Sequence, residues 1–133
     1  MISGNDEKAR ELFRARLEEE AFMRKRLAVT VDDYRIAVEG LLRIAFSDTS
    51  GGRAAAQLLL SSYNGTKYHM DLTDLCVLDL SYLEMALIVL RGRTILSIEP
   101  HSTIENGRER FLHLEDLWSN LHTSRRYLKV EEG

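Results

Sequence analysis

Residues 70–92 read MDLTDLCVLDLSYLEMALIVLRG, the densest run of large apolar side chains in the chain. Between Leu80 and Leu90 only Ser81 and Glu84 are strongly polar. A helix that is apolar on nearly every side is one that other elements surround. The run therefore predicts a central helix whose seam of Leu83, Leu87 and Leu90 meets Leu41, Leu42, Leu59 and Trp118. Pro100 is the sole proline, alternating Val/Ile/Thr runs are scarce, and Leu, Ala, Glu and Arg dominate. The fold class that follows is all-α, a compact single-domain bundle of about five to six helices around a central apolar helix.

Start and stop signals divide the rest of the chain. Thr30 followed by Asp32 and Asp33 is a capped start, and Tyr34, Val38, Leu41, Leu42 and Ala45 trace one helical face up to Phe46. Residues 47–52, SDTSGG, are a turn and capping cluster. Residues 53–63 resume a helical pattern, with Ala54, Ala55 and Ala56 small enough for close approach and Leu59, Leu60 and Tyr63 on one side. Asn64-Gly65 reads as a left-handed stop. Asp71 starts a short helix carrying Leu72, Leu75 and Leu78, Asp79 caps the apolar helix and Gly92 ends it. Residues 93–99 read as helix or coil, since a lone strand has nothing to pair with. Phe111, Leu114, Trp118 and Leu121 recur at three, four and three, which predicts a last helix over 108–122.

Three segments result. Residues 30–122 form the helical core, residues 123–133 a mobile charged tail, and residues 1–29 a charged N-terminal helix that is either part of the same domain or a docking arm. Asp6 and Glu7 in its first turn suit the positive end of the helix dipole, and Arg14–Glu18 and Arg16–Glu20 are pairs four apart. Leu12, Phe13, Leu17, Ala21 and Phe22 make only an imperfect apolar stripe. The densest group of charges able to meet another surface is Arg10, Arg14, Arg16, Arg24, Lys25 and Arg26, which are the candidate partner-binding residues.

Composition narrows the function classes. The 133 residues suit one domain, and 18 basic against 21 acidic residues give a net charge of -3, so no whole-molecule field draws the chain to nucleic acid. Cys76 is the single cysteine, which excludes an internal disulfide and a cysteine zinc cage and reads as a small buried hydrophobe in a reducing cytoplasm. No secretory signal pattern or membrane-length apolar run is visible. His69, His101, His113 and His122 include no pair four apart, and His113 with Glu115 and Asp116 reads as a solvated helix face rather than a metal site. Capping accounts for Asp71 and Asp74 beside His69 and Cys76. Ser50, Gly51, Gly52 and Arg53 open a helix and are a candidate anion site, although GxxxxGK[ST] is absent and turn plus cap is the favoured explanation. The basic pairs at 91 and 93, 108 and 110, and 125 and 126 are scattered. No catalytic residue, metal or cofactor is expected.

The segments LLRIAFSDTSGGRAAAQLLLSSYNG, MDLTDLCVLDLSYLEMALIVLRG and FLHLEDLW resemble an uncharacterised family of small helical domains found in proteobacterial genomes and mobile elements. The likeness spans residues 38–118 and rests on Asp48-Thr49, residues 58–64, residues 71–75, Asp79 and Trp118. Tyr63 and Cys76 stand where that family is rich in tryptophan, and Ser50-Gly51-Gly52 replaces its usual turn. The resemblance implies a bacterial setting, a phage or other mobile element, and an accessory protein that acts by binding; with no catalytic constellation in the chain, inhibition of a host defence complex is the first hypothesis. The expected function is therefore non-enzymatic protein–protein interaction in the cytoplasm, with no membrane and with a homodimer left open. A nucleic-acid-associated regulator using residues 48–64 as a helix-turn-helix is the alternative, and a small hydrolase or transferase comes last.

Overall fold

A computed structural model describes residues 4–128, which form six α-helices and no strand. They are α1 (Gly4–Leu27), α2 (Val31–Ala45), α3 (Ser50–Tyr63), α4 (Leu80–Ile95), α5 (Gly107–Leu117) and α6 (Thr123–Arg126), with 3-10 turns at Leu72–Val77, Pro100–Thr103 and Ser119–Leu121. The all-α class holds.

Local chemistry sets the first corner. The Thr30 hydroxyl accepts the Asp33 N–H at 3.0 Å and starts α2, which buries Tyr34, Ala37, Val38, Leu41, Leu42 and Ala45 along one face. Thr49 does the same for Gly52 at 2.9 Å, so α3 begins at Ser50, three residues earlier than its apolar pattern suggests. A Cβ on Gly52 would lie 2.2 Å from the Ser47 carbonyl oxygen and 2.7 Å from that of Ile44. Glycine is required here because backbone closes on backbone.

The centre of the bundle is α3, packed on α2, and not residues 80–90. Ala54, Ala55, Ala56, Leu58, Leu59 and Leu60 are all buried, whereas α4 buries only Ala86, Val89 and Gly92. Leu80 is 83% exposed and Leu87 45% exposed, so the predicted Leu83–Leu87–Leu90 seam is half covered at its ends and open in its middle. The physical reason is size: three successive alanines let neighbours approach α3 from several sides, while the large side chains of α4 form a partly wetted outer wall. Gly92 does not end α4. The helix runs on to Ile95, and Gly92 lies against the Tyr34 ring, where a Cβ would stand 2.3 Å from the nearest ring carbon. Ser97, at φ 56°, makes the actual left-handed break.

Other signals are corrected in the same way. Asn64 ends α3 at φ −148°, and no described glycine has positive φ, so Asn64-Gly65 is no left-handed stop. Asp71 and Asp79 stand at cap positions without a side-chain cap bond. Asp71 instead pairs with Arg126 at 2.5 Å, since a cation outbids a backbone N–H for a carboxylate. Cys76 is exposed in its 3-10 turn rather than buried.

The predicted last helix over 108–122 is two pieces, α5 and the 3-10 turn Ser119–Leu121, with α6 following. α5 buries Phe111 and Leu114, Trp118 caps it and donates its indole N–H to the Ala45 carbonyl at 2.7 Å, and Leu121 is buried beyond. His122 caps α6 by accepting the Ser124 N–H at 3.1 Å. The segment expected as a mobile tail is tied down over its first part. The Arg126 side chain is 6% exposed, bonded to the Gln57 amide oxygen at 2.9 Å and to the His69 carbonyl. Residues 129–133 of that segment lie outside the described residues.

Buried Gln57 organises this second cluster. Its amide donates to Asp74 at 2.6 Å and its carbonyl accepts the Asp71 N–H at 2.9 Å, so the loop after α3 is fastened to the core and to α6 together. Between α2 and α5, Arg110 makes a two-pronged contact with Glu39 at 2.6 and 2.8 Å, which holds the Glu39 carboxyl below its usual range. Burial pushes the Tyr34 hydroxyl up to about 12 while it donates to the Ile98 carbonyl at 2.8 Å.

Candidate functional site

Among the described α-helices longer than a single turn, α1 alone buries no residue. Every residue from Gly4 to Leu27 is exposed, including Leu12, Phe13, Leu17, Phe22, Met23 and Leu27, whose exposures run from 39% to 72%. A 24-residue helix is roughly 36 Å long, so this is an extended surface rather than a frayed end. Scattered exposed leucines are ordinary on a protein surface, but six large apolar side chains on one helix with no compensating burial are not.

Arg10, Arg14, Arg16, Arg24, Lys25 and Arg26 all lie on α1 and all are exposed. Arg24 bonds Glu20 at 3.2 Å, one turn back, and the Arg26 guanidinium sits 5.9 Å from the Phe22 ring centroid. Seven cations stand among six anions along the helix, so its charge is mixed rather than basic. The sequence pattern located these charges and undervalued the apolar residues between them. The signal that could have found them is their number, six large side chains on a helix with nowhere in its own stripe for a core contact.

The candidate anion site closes on itself. Ser50 is exposed at the start of α3, but Thr49 takes the Gly52 N–H, Gly52 is buried, and Arg53 is turned toward Asp74 at 4.0 Å. The remaining basic candidates do not converge. Arg93 donates to the Ser62 carbonyl at 3.0 Å, Arg110 holds Glu39, Arg125 donates to the Ser119 hydroxyl at 3.1 Å and Arg126 holds Asp71. Among the described residues, no three of His, Cys, Asp and Glu gather as a metal would require.

Several concavities mark the body, among them one of about 270 Å³ beside Tyr68, Glu115, Asp116, His122 and Arg125 and one of about 250 Å³ beside Asp33, Glu84 and Met85. Two more carry little charge. One, about 380 Å³, lies at the α2–α3 corner beside Phe46, Asp48, Leu117, Trp118, Ser119 and Asn120. Another, about 240 Å³, is lined by Leu58, Met70, Leu72, Leu75 and Leu90 with two serines. Both are shallow and open, and Asp48 is the one charged residue lining either.

The model of DUF7673, a family of unknown function, matches residues 35–119. The chain belongs to this family. The DUF7673 region runs from the first turns of α2 to the residue after Trp118, so it takes in the α2–α3 core, α4 and α5. All of α1 lies outside the matched residues. Comparison with curated proteins and with solved structures finds no match. No helix among the described residues is long and apolar enough to cross a membrane.

Proposed function

We propose that this DUF7673 protein is a non-enzymatic binding protein that engages a protein partner through α1, with the folded body as its support. The observation that carries this reading is that Leu12, Phe13, Leu17, Phe22, Met23 and Leu27 are all exposed on one continuous helix. Burying these side chains on a partner recovers apolar area at about 25 cal/mol per Å², a gain that the lone chain forgoes. The interspersed arginines and glutamates would set on-rate and orientation. The setting, a phage or other mobile element, comes from the sequence resemblance, and action on a host defence complex is a further part of the proposal.

The alternative, a nucleic-acid regulator, is less well supported. In a helix-turn-helix the second helix enters the major groove, but the α3 side chains from Ala54 to Leu60 are buried throughout. A phosphate-binding surface would also need unengaged cations on one face, and Arg53, Arg93, Arg110 and Arg126 are each turned to groups of the body.

The test places a photo-crosslinking residue at Phe13, at Met23 or, on the body, at Leu80, in the cytoplasm of an expressing bacterium. Adducts from positions 13 and 23 that weaken when Arg24, Lys25 and Arg26 are changed together to glutamate support the reading. Adducts from Leu80 alone would move the binding surface to α4. Retention on nonspecific duplex DNA that falls steeply with salt would favour the nucleic-acid alternative.

A further inference from the structure

The exposed face of α1 has an internal order that selects its occupant. Ala9, Phe13, Arg16, Glu20, Met23 and Leu27 recur at spacings of four, three, four, three and four. That alternation keeps six residues on one seam when two helices pack side by side. We propose that α1 pairs with α1 of a second copy of this chain, antiparallel, about a two-fold axis at Glu18. This pairing rests on the reading of α1 as a docking helix and names what docks there.

The seam is complementary to its own reverse. With Glu18 of one copy opposite Glu18 of the other, Ala9 meets Leu27, Phe13 meets Met23, and Arg16 meets Glu20, each pair occurring twice by symmetry. Small faces large at the ends, ring faces thioether inside them, and cation faces anion in the two central layers. All six side chains are exposed in the single chain, and Glu20 needs only to share its carboxylate between Arg24 of its own helix and Arg16 of the other.

Other arrangements of the same helices lose this match. Parallel pairing sets Arg16 against Arg16 and Glu20 against Glu20, two like-charge layers. Sliding the antiparallel pair by one heptad sets Arg16 against Leu27 and Glu20 against Met23, which leaves each charge desolvated beside an apolar group. Polar residues at seam positions fix register and orientation in paired helices at some expense of stability, and Arg16 with Glu20 fills that role here. On one flank, Leu17 meets Leu17 at the axis. Arg10 approaches Arg24 on that same flank, and on the other Glu19 meets Glu19, so like charges hold the affinity down and the pair is reversible rather than permanent. The body follows Leu27 after three residues, and antiparallel pairing therefore sets the two bodies at opposite ends of the paired helices.

Sedimentation equilibrium of the full chain under reductant, with four proteins compared, tests the pairing. The parent should dimerise reversibly. Arg16→Glu and Glu20→Arg should each weaken the dimer at least about tenfold, because each creates two like-charge layers. The double variant Arg16→Glu/Glu20→Arg should return to within about threefold of the parent, since an antiparallel seam regains both attractions, whereas a parallel seam carries two like-charge layers in all four proteins and would show no loss in the singles. Unchanged melting of the dilute single variants serves as the folding control, as both positions are exposed. A parent that stays monomeric to about 1 mM overturns the pairing. So does a dimer indifferent to the single variants, or a double variant as weak as the singles. A monomeric parent whose residue 13 crosslinker still captures a different protein overturns self-pairing and leaves the docking reading standing, whereas a monomer with no α1 adduct overturns both.

Discussion

Replacing Gly92 by alanine adds one methyl carbon where the Tyr34 ring already lies. The new Cβ would stand 2.3, 2.4 and 2.6 Å from ring carbons of Tyr34, against about 3.5 to 4.0 Å for an ordinary carbon contact. On an open helix the same change stabilises by about 1 kcal/mol. Here the ring must withdraw by roughly 1 Å or more. Tyr34 is fully buried and its hydroxyl is tied to the Ile98 carbonyl at 2.8 Å, so withdrawal strains both ends. Overpacking costs about 1 to 3 kcal/mol, and a buried hydroxyl stripped of its partner costs about 1 to 3 more. After the propensity gain the net loss is about 1 to 5 kcal/mol, a fall in melting temperature of roughly 3 to 15 °C. Gly40→Ala is the matched control. Its Cβ would meet the Met85 Sδ at 2.5 Å and Cε at 2.9 Å, the far end of a flexible side chain that can turn aside. Thermal melts of both variants by circular dichroism decide the matter. A Gly92→Ala protein that melts at or above the parent, or equal losses at both glycines, would refute the close α2–α4 approach.

Truncating Phe111 to alanine should cost about 3 to 5 kcal/mol in urea denaturation while Leu87→Ala, on the wetted wall of α4, costs about 1 or less, and the reverse order would restore residues 80–90 as the centre. Glu39 is held below its ordinary value of 4.5 by Arg110, so its contribution is complete above that value and is lost as pH falls through the lowered one. Glu39→Gln should therefore lower stability by about 1 to 2 kcal/mol at pH 7 and less in acid, the pair being about one-third exposed, and an equal loss at pH 3 would contradict it. Arg126→Ala leaves Gln57 and Asp71 without their cation, and urea melts should show a loss of about 1.5 to 3 kcal/mol, whereas Arg125→Ala should change little.

Much of the architecture is legible from side-chain spacing. Thr30 and the face from Tyr34 to Ala45, and the spacing of Phe111, Leu114 and Trp118, match the observed elements because burial imposes those periods directly. Centrality was not legible, because hydrophobic density points to residues 80–90 while Ala54, Ala55 and Ala56 admit close neighbours from several sides. Gly92 and Asp71 depart from their local signals for a related reason. Local rules read them as a stop and a cap, whereas tertiary partners, the Tyr34 ring and the Arg126 guanidinium, set their places. On α1 the charges were visible as a surface. That its apolar residues stay uncovered depends on where the rest of the chain goes, and no local pattern reports that.

Amide hydrogen exchange of the full chain across a dilution series tests most directly whether α1 is a docking helix rather than part of the core. When dilute, amides of α1 should exchange far faster than those of α3, since most helical stability in proteins comes from tertiary packing and α1 buries no residue. As concentration rises, protection should appear over residues 9–27 and nowhere on the body. Protection of α1 equal to that of α3 at every concentration would show that it packs on its own body, and would contradict the account.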